Sequence, residues 1–140
     1  MNESPTDYQW SDAWFLLAVS YVSRSGEPAR MSAVIGAADY INHAILTVAE
    51  IKSATFKLTR DQWITFDAGE YTATRKMIDR FSTLPAKSPM SQLEIVESWL
   101  GATSFDGNYD PDLLTSPDVV AISDEMVDMA TAEYKTEGRR

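Results

Sequence analysis

The segment from Leu46 to Arg75, LTVAEIKSATFKLTRDQWITFDAGEYTATR, constrains the fold of this chain more than any other stretch. Thr47 and Glu50 have the spacing of a capping box, in which each side chain binds an unpaired backbone N–H at the start of a helix. The helix that begins there is predicted to end near Asp61. Its inward stripe at helical spacing consists of Val48, Ile51, Thr55 and Leu58.

Strand-forming residues follow this helix. The stretches WITF and EYTAT, which flank DAG, are rich in aromatic and β-branched residues and predict a β-hairpin. A three-residue turn with Gly69 in a left-handed conformation would connect the two strands. Thr74 is placed to cap a further short helix, RKMIDRF. The segment therefore predicts a capped helix, a hairpin and another helix in succession.

Two helices are predicted before this segment. Ser11 is a suitable cap for the first, from about Asp12 to Arg24, whose apolar residues extend so far around it that we expect it to be central. Gly26 is placed to end it, and an amphipathic second helix is predicted from about Pro28 to Asn42. The single histidine, His43, follows that helix, where the helix dipole favours a structural role.

A helical extension is predicted after the short helix. The connector STLPAKSP leads into a helix from about Pro89 to Leu100. Ser91 and Glu94 have capping-box spacing there, and Gly101 is placed to end the helix.

The last helix is predicted from Ser116, which precedes a proline, to about Tyr134. It carries two neighbouring apolar stripes: Val119, Ile122, Met126 and Met129 beside Val120, Val127, Ala130 and Tyr134. Because two stripes are wider than one neighbouring helix usually covers, we expect this helix to mediate a homodimer.

The order of helix, helix, capped helix and hairpin resembles the winged helix-turn-helix superfamily. The resemblance depends on a T-x-x-E start to the third helix, an apolar inner face, a bulky start to the hairpin and a Y-x-x-T end. These positions are Thr47, Glu50, Ile51, Leu58, Trp63, Ile64, Tyr71 and Thr74. The fold that it implies is mainly α with a small β-hairpin: a winged-helix domain at 11–81, an N-terminal tail at 1–10 and the helical extension at 82–140.

In that superfamily the third helix enters the major groove of DNA and the hairpin lies along the duplex backbone or in the minor groove. The resemblance therefore implies a bacterial transcriptional regulator that binds double-stranded DNA. The residues implied to face DNA are Lys52, Ser53, Phe56, Lys57 and Arg60 on the third helix, with Arg75 and Lys76 at the foot of the hairpin. Two features differ from the family pattern: RDQW replaces the usual glycine join, and Asp67 and Glu70 flank the hairpin turn.

Charge leaves a second function open. The chain has a net charge of −9, although Thr47 to Phe81 contains six basic and five acidic residues. The alternative is a winged-helix module that binds another protein and does not bind DNA. Phe56 is compatible with either function, because an aromatic side chain there would contact a protein, a thymine methyl group or the core.

The sequence predicts no enzyme, cofactor or metal site. One histidine and no cysteine leave the usual catalytic triads and metal sites without their parts. The stretch from Asp106 to Asp112 lacks calcium-loop spacing, and Asp124 and Asp128 are expected to face solvent. No apolar run approaches the ~20 residues of a membrane helix and no secretory signal is visible. We therefore expect a cytoplasmic protein without membrane contact.

Overall fold

The computed structural model describes residues 8–101 and 122–137 of the chain. In order, its elements are α1 (Trp10–Val22), β1 (Ala29–Arg30), α2 (Met31–Asn42), α3 (Val48–Arg60), β2 (Ile64–Asp67), β3 (Glu70–Ala73), α4 (Arg75–Phe81), α5 (Pro89–Leu100) and α6 (Asp124–Glu137). The three strands form one antiparallel sheet. The prediction of a mainly α protein with a small β-hairpin is confirmed.

Helix α1 lies at the centre of the fold. Every residue from Ser11 to Ser20 is buried, because α2, α3 and α5 all pack against this helix. Its cap is Gln9 and not the predicted Ser11, and the Asp12 carboxylate accepts a hydrogen bond from the Gln9 backbone N–H at 2.8 Å. Gln9 is itself buried. Gln9 and Trp10, which were assigned to the N-terminal tail, therefore belong to the folded unit.

Strand β1 was not predicted. Ala29 and Arg30 were assigned to the second helix, but they pair with Tyr71 and Glu70 and give the sheet the order β1-β3-β2. Without β1, one edge of β3 would expose unpaired backbone groups. Pairing with this edge decides the conformation of Ala29 and Arg30, and α2 starts only at Met31.

The hairpin turn contains two residues and not the predicted three. Asp67 pairs with Glu70, so only Ala68 and Gly69 connect the strands, with φ values of 52° and 80°. Two central residues with positive φ are typical of a type I′ turn, whose twist matches that of the strands. The left-handed conformation predicted for Gly69 is confirmed.

The helical extension packs on the rest of the fold. Leu93 and Val96 of α5 are buried, and this helix lies against α1. The predicted cap by Ser91 and Glu94 is wrong, because the Ser88 hydroxyl accepts the hydrogen bond from the Ser91 backbone N–H, at 3.3 Å. Pro89 at the start of the helix fits this earlier cap.

Helix α6 begins later than predicted and lies against α2. Ser123 caps it by accepting a hydrogen bond from the Met126 backbone N–H at 3.0 Å, whereas the predicted cap Ser116 lies outside the described residues. Ile122 and Val127 are buried, and Met129 is 66% exposed.

The join between α3 and β2 holds Gln62 in a left-handed conformation with a φ of 63°. This conformation costs a residue with a Cβ roughly 1–2 kcal/mol, and glycine avoids that cost while losing more entropy on folding. We expect Gln62→Gly to raise the free energy of unfolding by about 0.5–1 kcal/mol, as measured by urea denaturation. Gln62→Ala is the control, and equal stabilisation by alanine would contradict the explanation.

Candidate nucleic-acid interface

The structure divides the seven residues predicted to face DNA into two groups. Ser53 and Lys57 are fully buried, so the prediction that they lie on the outer face of α3 is wrong. The other five are half-buried or exposed: Lys52, Phe56, Arg60, Arg75 and Lys76. We refer to these five residues as the basic strip. The predicted inward stripe of α3 was too narrow, because the start of α1 covers an additional flank of the helix.

Lys57 forms an ion pair inside the protein. Its ammonium nitrogen donates a hydrogen bond to Asp12 Oδ2 at 2.7 Å, and both side chains are inaccessible to solvent. The pair joins α3 to the first turn of α1. Lys57 is therefore unavailable to DNA, and its charge is balanced within the core.

The outward part of α3 is a ridge formed by Lys52, Phe56 and Arg60. These residues recur every four positions and so lie on neighbouring turns of one face. The Arg60 guanidinium lies 5.9 Å from the centre of the Phe56 ring and 5.9 Å from that of Tyr8. Phe56 is half-buried and packs against the edge of the core, so its ring has both a core contact and a surface contact.

Asp61 fixes the position of Arg60. The Arg60 guanidinium donates hydrogen bonds to Asp61 Oδ1 at 3.0 Å and to Oδ2 at 2.9 Å, and Tyr8 Oη donates to Oδ2 at 2.6 Å. The bonds from Arg60 lower the pKa of Asp61, whereas burial and the bond to Asp61 raise the pKa of Tyr8. At neutral pH this cluster is a cation, a carboxylate and a neutral phenol, so the charge of Arg60 is balanced locally.

The foot of the hairpin adjoins the end of α3. Lys76 Nζ donates a hydrogen bond to the Asp61 backbone carbonyl at 3.2 Å and lies 4.0 Å from the centre of the Trp63 ring. The Arg75 side chain is 85% exposed, and its guanidinium pairs with Asp79 Oδ1 at 3.1 Å. These contacts bring Lys76 and Arg60 to one continuous surface.

Thr74 occupies the N-cap position of α4, as predicted, but its side chain makes no capping hydrogen bond. Its hydroxyl donates to the backbone carbonyls of Gln62 and Trp63, at 2.7 and 3.0 Å. It thereby ties the end of β3 to the start of β2. Beside it lies a surface recess of about 390 Å³. The recess is lined by Thr59, Gln62, Ile64, Thr65, Thr74, Arg75 and Lys76.

Of the acidic residues weighed above as metal ligands, only those on α6 fall within the described residues. Asp124 and Asp128 are exposed on α6, and the stretch from Asp106 to Asp112 lies outside the described residues. Within 8–101 and 122–137, no group of three or more His, Cys, Asp or Glu side chains could hold a metal ion. No helix in these same ranges is long and apolar enough to span a bilayer.

Sequence reasoning missed two residues that shape this surface: Asp12, which holds Lys57 inside the core, and Tyr8, which binds Asp61. The spacing of Gln9 and Asp12 is that of an N-terminal cap, and it was the only available signal for Asp12. Tyr8 had no local signal, because its partner Asp61 is distant in sequence. No family model, no curated protein and no solved structure matches the chain, so the assignment of this surface depends on its own residues.

Proposed function

We propose that this protein is a winged helix-turn-helix transcriptional regulator that binds double-stranded DNA through the basic strip. The observation that carries the proposal is the continuity of this strip, in which the α3 ridge is joined to the foot of the hairpin where Lys76 and Arg60 both contact Asp61. The chain order of α1, α2, capped α3 and hairpin is also the order on which the resemblance to the superfamily is based.

The charge of the strip differs in sign from that of the chain. The strip has four cationic side chains, and the carboxylates paired with them belong to Asp61 and Asp79. The local balance is therefore +2 within a chain of net charge −9. At physiological ionic strength charges interact over roughly 8 Å, so the local excess decides the attraction to phosphate.

The cations of the strip suit different contacts. Lys52 forms no salt bridge with a carboxylate in the described ranges, and its position on the α3 ridge is the one from which a base edge in the major groove is reached. Arg75 and Lys76 lie at the recess beside Thr59 and Thr65. Basic side chains and hydroxyl groups are the usual partners of DNA phosphates, so this recess would anchor the duplex backbone.

The proposal predicts that Lys52→Glu and the double change Arg75→Glu with Lys76→Glu weaken DNA binding about tenfold or more. Each phosphate contact that is lost should reduce the slope of log affinity against log salt by about 1. Fluorescence anisotropy of labelled duplexes, titrated at several salt concentrations, measures both quantities. Lys135→Glu is the matched control, because Lys135 is exposed on α6 and lies outside the strip.

A flat salt dependence of the wild-type protein would contradict DNA binding. An equal loss of affinity in Lys135→Glu would also contradict it, since the effect would then follow from net charge alone. Lys57 is not a suitable position for this test, because a change there breaks a buried ion pair.

The second candidate function is binding to another protein. It is favoured by the cluster in which Arg60 lies between the rings of Tyr8 and Phe56 with its charge balanced by Asp61. Tyrosine and arginine are enriched among the residues that dominate protein interfaces. Under this function the wild-type protein would show no salt-dependent affinity for DNA, so the same titration separates the two candidates.

The proposal includes a homodimer formed through α6, which would let two modules bind two half-sites. Its support is the exposed Met129 on a helix whose other face already packs on α2. Sedimentation of the protein–DNA complex measures how many protein chains bind each duplex. A single chain bound to a duplex that contains two half-sites would contradict the dimer. A DNA partner also implies a cytoplasmic location and a binding role that needs no cofactor.

A further inference from the structure

A second recess, of about 510 Å³, lies where the ends of α1, α2 and α4 meet the connector before α5. We refer to it as the aromatic recess, and its side chains that matter here are Tyr21, Arg24, Tyr40, Phe81, Lys87 and Gln92. It shares no residue with the basic strip. Its volume falls in the range of roughly 300–1,000 Å³ that is usual for small-molecule sites.

Three aromatic rings form much of this recess. The Tyr21 and Phe81 ring centres are 5.9 Å apart with an edge-to-face angle of 75°, and the centres of Tyr21 and Tyr40 are 6.3 Å apart. Tyr40 is 65% exposed, so much of its ring is open to contact by a ligand. Aromatic pairs of this kind favour a further ring in edge-to-face or offset-stacked contact.

The recess is also cationic. The Arg24 guanidinium lies 5.8 Å from the centre of the Tyr21 ring and 5.6 Å from that of Phe81, and these cation–π contacts hold it in place. Within the described ranges Arg24 forms no salt bridge with a carboxylate. Lys87 adds a second positive charge, and none of the lining residues is acidic. In a chain of net charge −9, this composition favours an anion.

Hydrogen bonds keep the recess open. Tyr21 Oη donates to Gln92 Oε1, and Gln92 Nε2 donates to the Pro85 backbone carbonyl at 2.9 Å. Burial raises the pKa of Tyr21, so its phenol remains a neutral donor at physiological pH. These two bonds connect α1, α5 and the connector, and a site whose walls are already fixed loses less entropy when a ligand binds.

We infer that the aromatic recess binds a small planar aromatic carboxylate. The ligand ring would pack against Tyr40 and Phe81, and its carboxylate would accept hydrogen bonds from the Arg24 guanidinium. Arginine is suited to this role, because its planar group can stack on a ring and still donate two parallel N–H bonds to a carboxylate. An aliphatic carboxylate would lack the ring contacts, and a neutral aromatic compound would lack the ionic contact.

Calorimetric titration of the full chain tests the inference with four probes that form two pairs of matched size. Naphthalene-2-carboxylate and benzoate combine an aromatic ring with the charge, naphthalene-2-carboxamide keeps the ring alone, and cyclohexanecarboxylate keeps the charge alone. We expect saturable binding at one site per chain for the two aromatic carboxylates. The carboxamide should bind at least about tenfold more weakly than naphthalene-2-carboxylate, because the ionic hydrogen bond is lost. Cyclohexanecarboxylate should bind at least about tenfold more weakly than benzoate, because the aromatic ring contacts are lost.

Two variants locate the site. Arg24→Gln and Tyr40→Ala change exposed side chains, and each should weaken naphthalene-2-carboxylate binding about tenfold or more. Arg80→Gln is the control, because Arg80 lies over Trp99 at 5.5 Å in a similar cation–π contact outside the recess. The inference is overturned if binding fails to saturate, if the carboxamide binds as tightly, or if Arg24→Gln leaves the affinity unchanged.

Discussion

Replacing Lys57 with methionine is expected to lower the free energy of unfolding by about 3–5 kcal/mol. Methionine keeps much of the volume of the side chain but leaves the Asp12 carboxylate buried without the positive charge that now lies 2.7 Å away. A loss of this size is a large part of the roughly 5–15 kcal/mol that stabilises a typical domain. Urea denaturation of the variant and the wild-type protein, followed by far-ultraviolet circular dichroism, measures the difference.

Two further variants show whether burial of the charge is the cause. Lys52→Met makes the same chemical change on the outer ridge of α3 and should alter stability by no more than about 0.5 kcal/mol. Asp12→Asn combined with Lys57→Met removes both charges and keeps an oxygen that can accept from the Gln9 N–H, so it should recover part of the loss. If Lys57→Met costs no more than Lys52→Met, the ion pair does not stabilise the fold.

Gly36→Ala is expected to release α6 from α2 while leaving the other helices folded. A Cβ atom at Gly36 would lie 2.8 and 2.9 Å from two carbon atoms of the Tyr134 ring, closer than van der Waals contact allows. The ring cannot simply turn away, since Tyr134 Oη donates a hydrogen bond to Asp39 Oδ2 at 2.6 Å. Overpacking of this kind costs about 1–3 kcal/mol, so hydrogen exchange of the α6 amides should accelerate about tenfold or more.

The same substitution in a Tyr134→Ala background separates the clash from other effects. There the added Cβ meets no ring, and alanine is favoured over glycine inside a helix by about 1 kcal/mol. Gly36→Ala should therefore be neutral or stabilising in that background. Stabilisation in the wild-type background as well would show that the contact between Gly36 and Tyr134 does not hold α6 in place.

Local signals in the sequence predicted the helices and the hairpin well. The capping box of Thr47 and Glu50 is present, with hydrogen bonds of 2.8 and 3.1 Å, because such a cap needs only residues three positions apart. Strand β1 was missed because Ala29 and Arg30 are weak strand formers that pair with residues distant in sequence.

The surface of α3 was harder to predict than the helix itself. Helical periodicity shows which residues share a face, but it does not show how far a neighbouring element extends around the helix. Lys57 lies on the flank that the start of α1 covers, so its burial depends on Asp12, which is 45 positions away. The aromatic recess was missed for the same reason, since its walls come from three stretches that are distant from one another in the sequence.

The burial of α1 on all sides has a consequence for synthesis of the protein. This apolar helix leaves the ribosome well before α5, which covers one of its faces and begins only at Pro89. At roughly 5–20 residues per second, the nascent chain would expose part of α1 for several seconds. Stable folding of α1 therefore waits for α5, and a nascent chain stalled before α5 would present an uncovered apolar surface to chaperones or to other nascent chains.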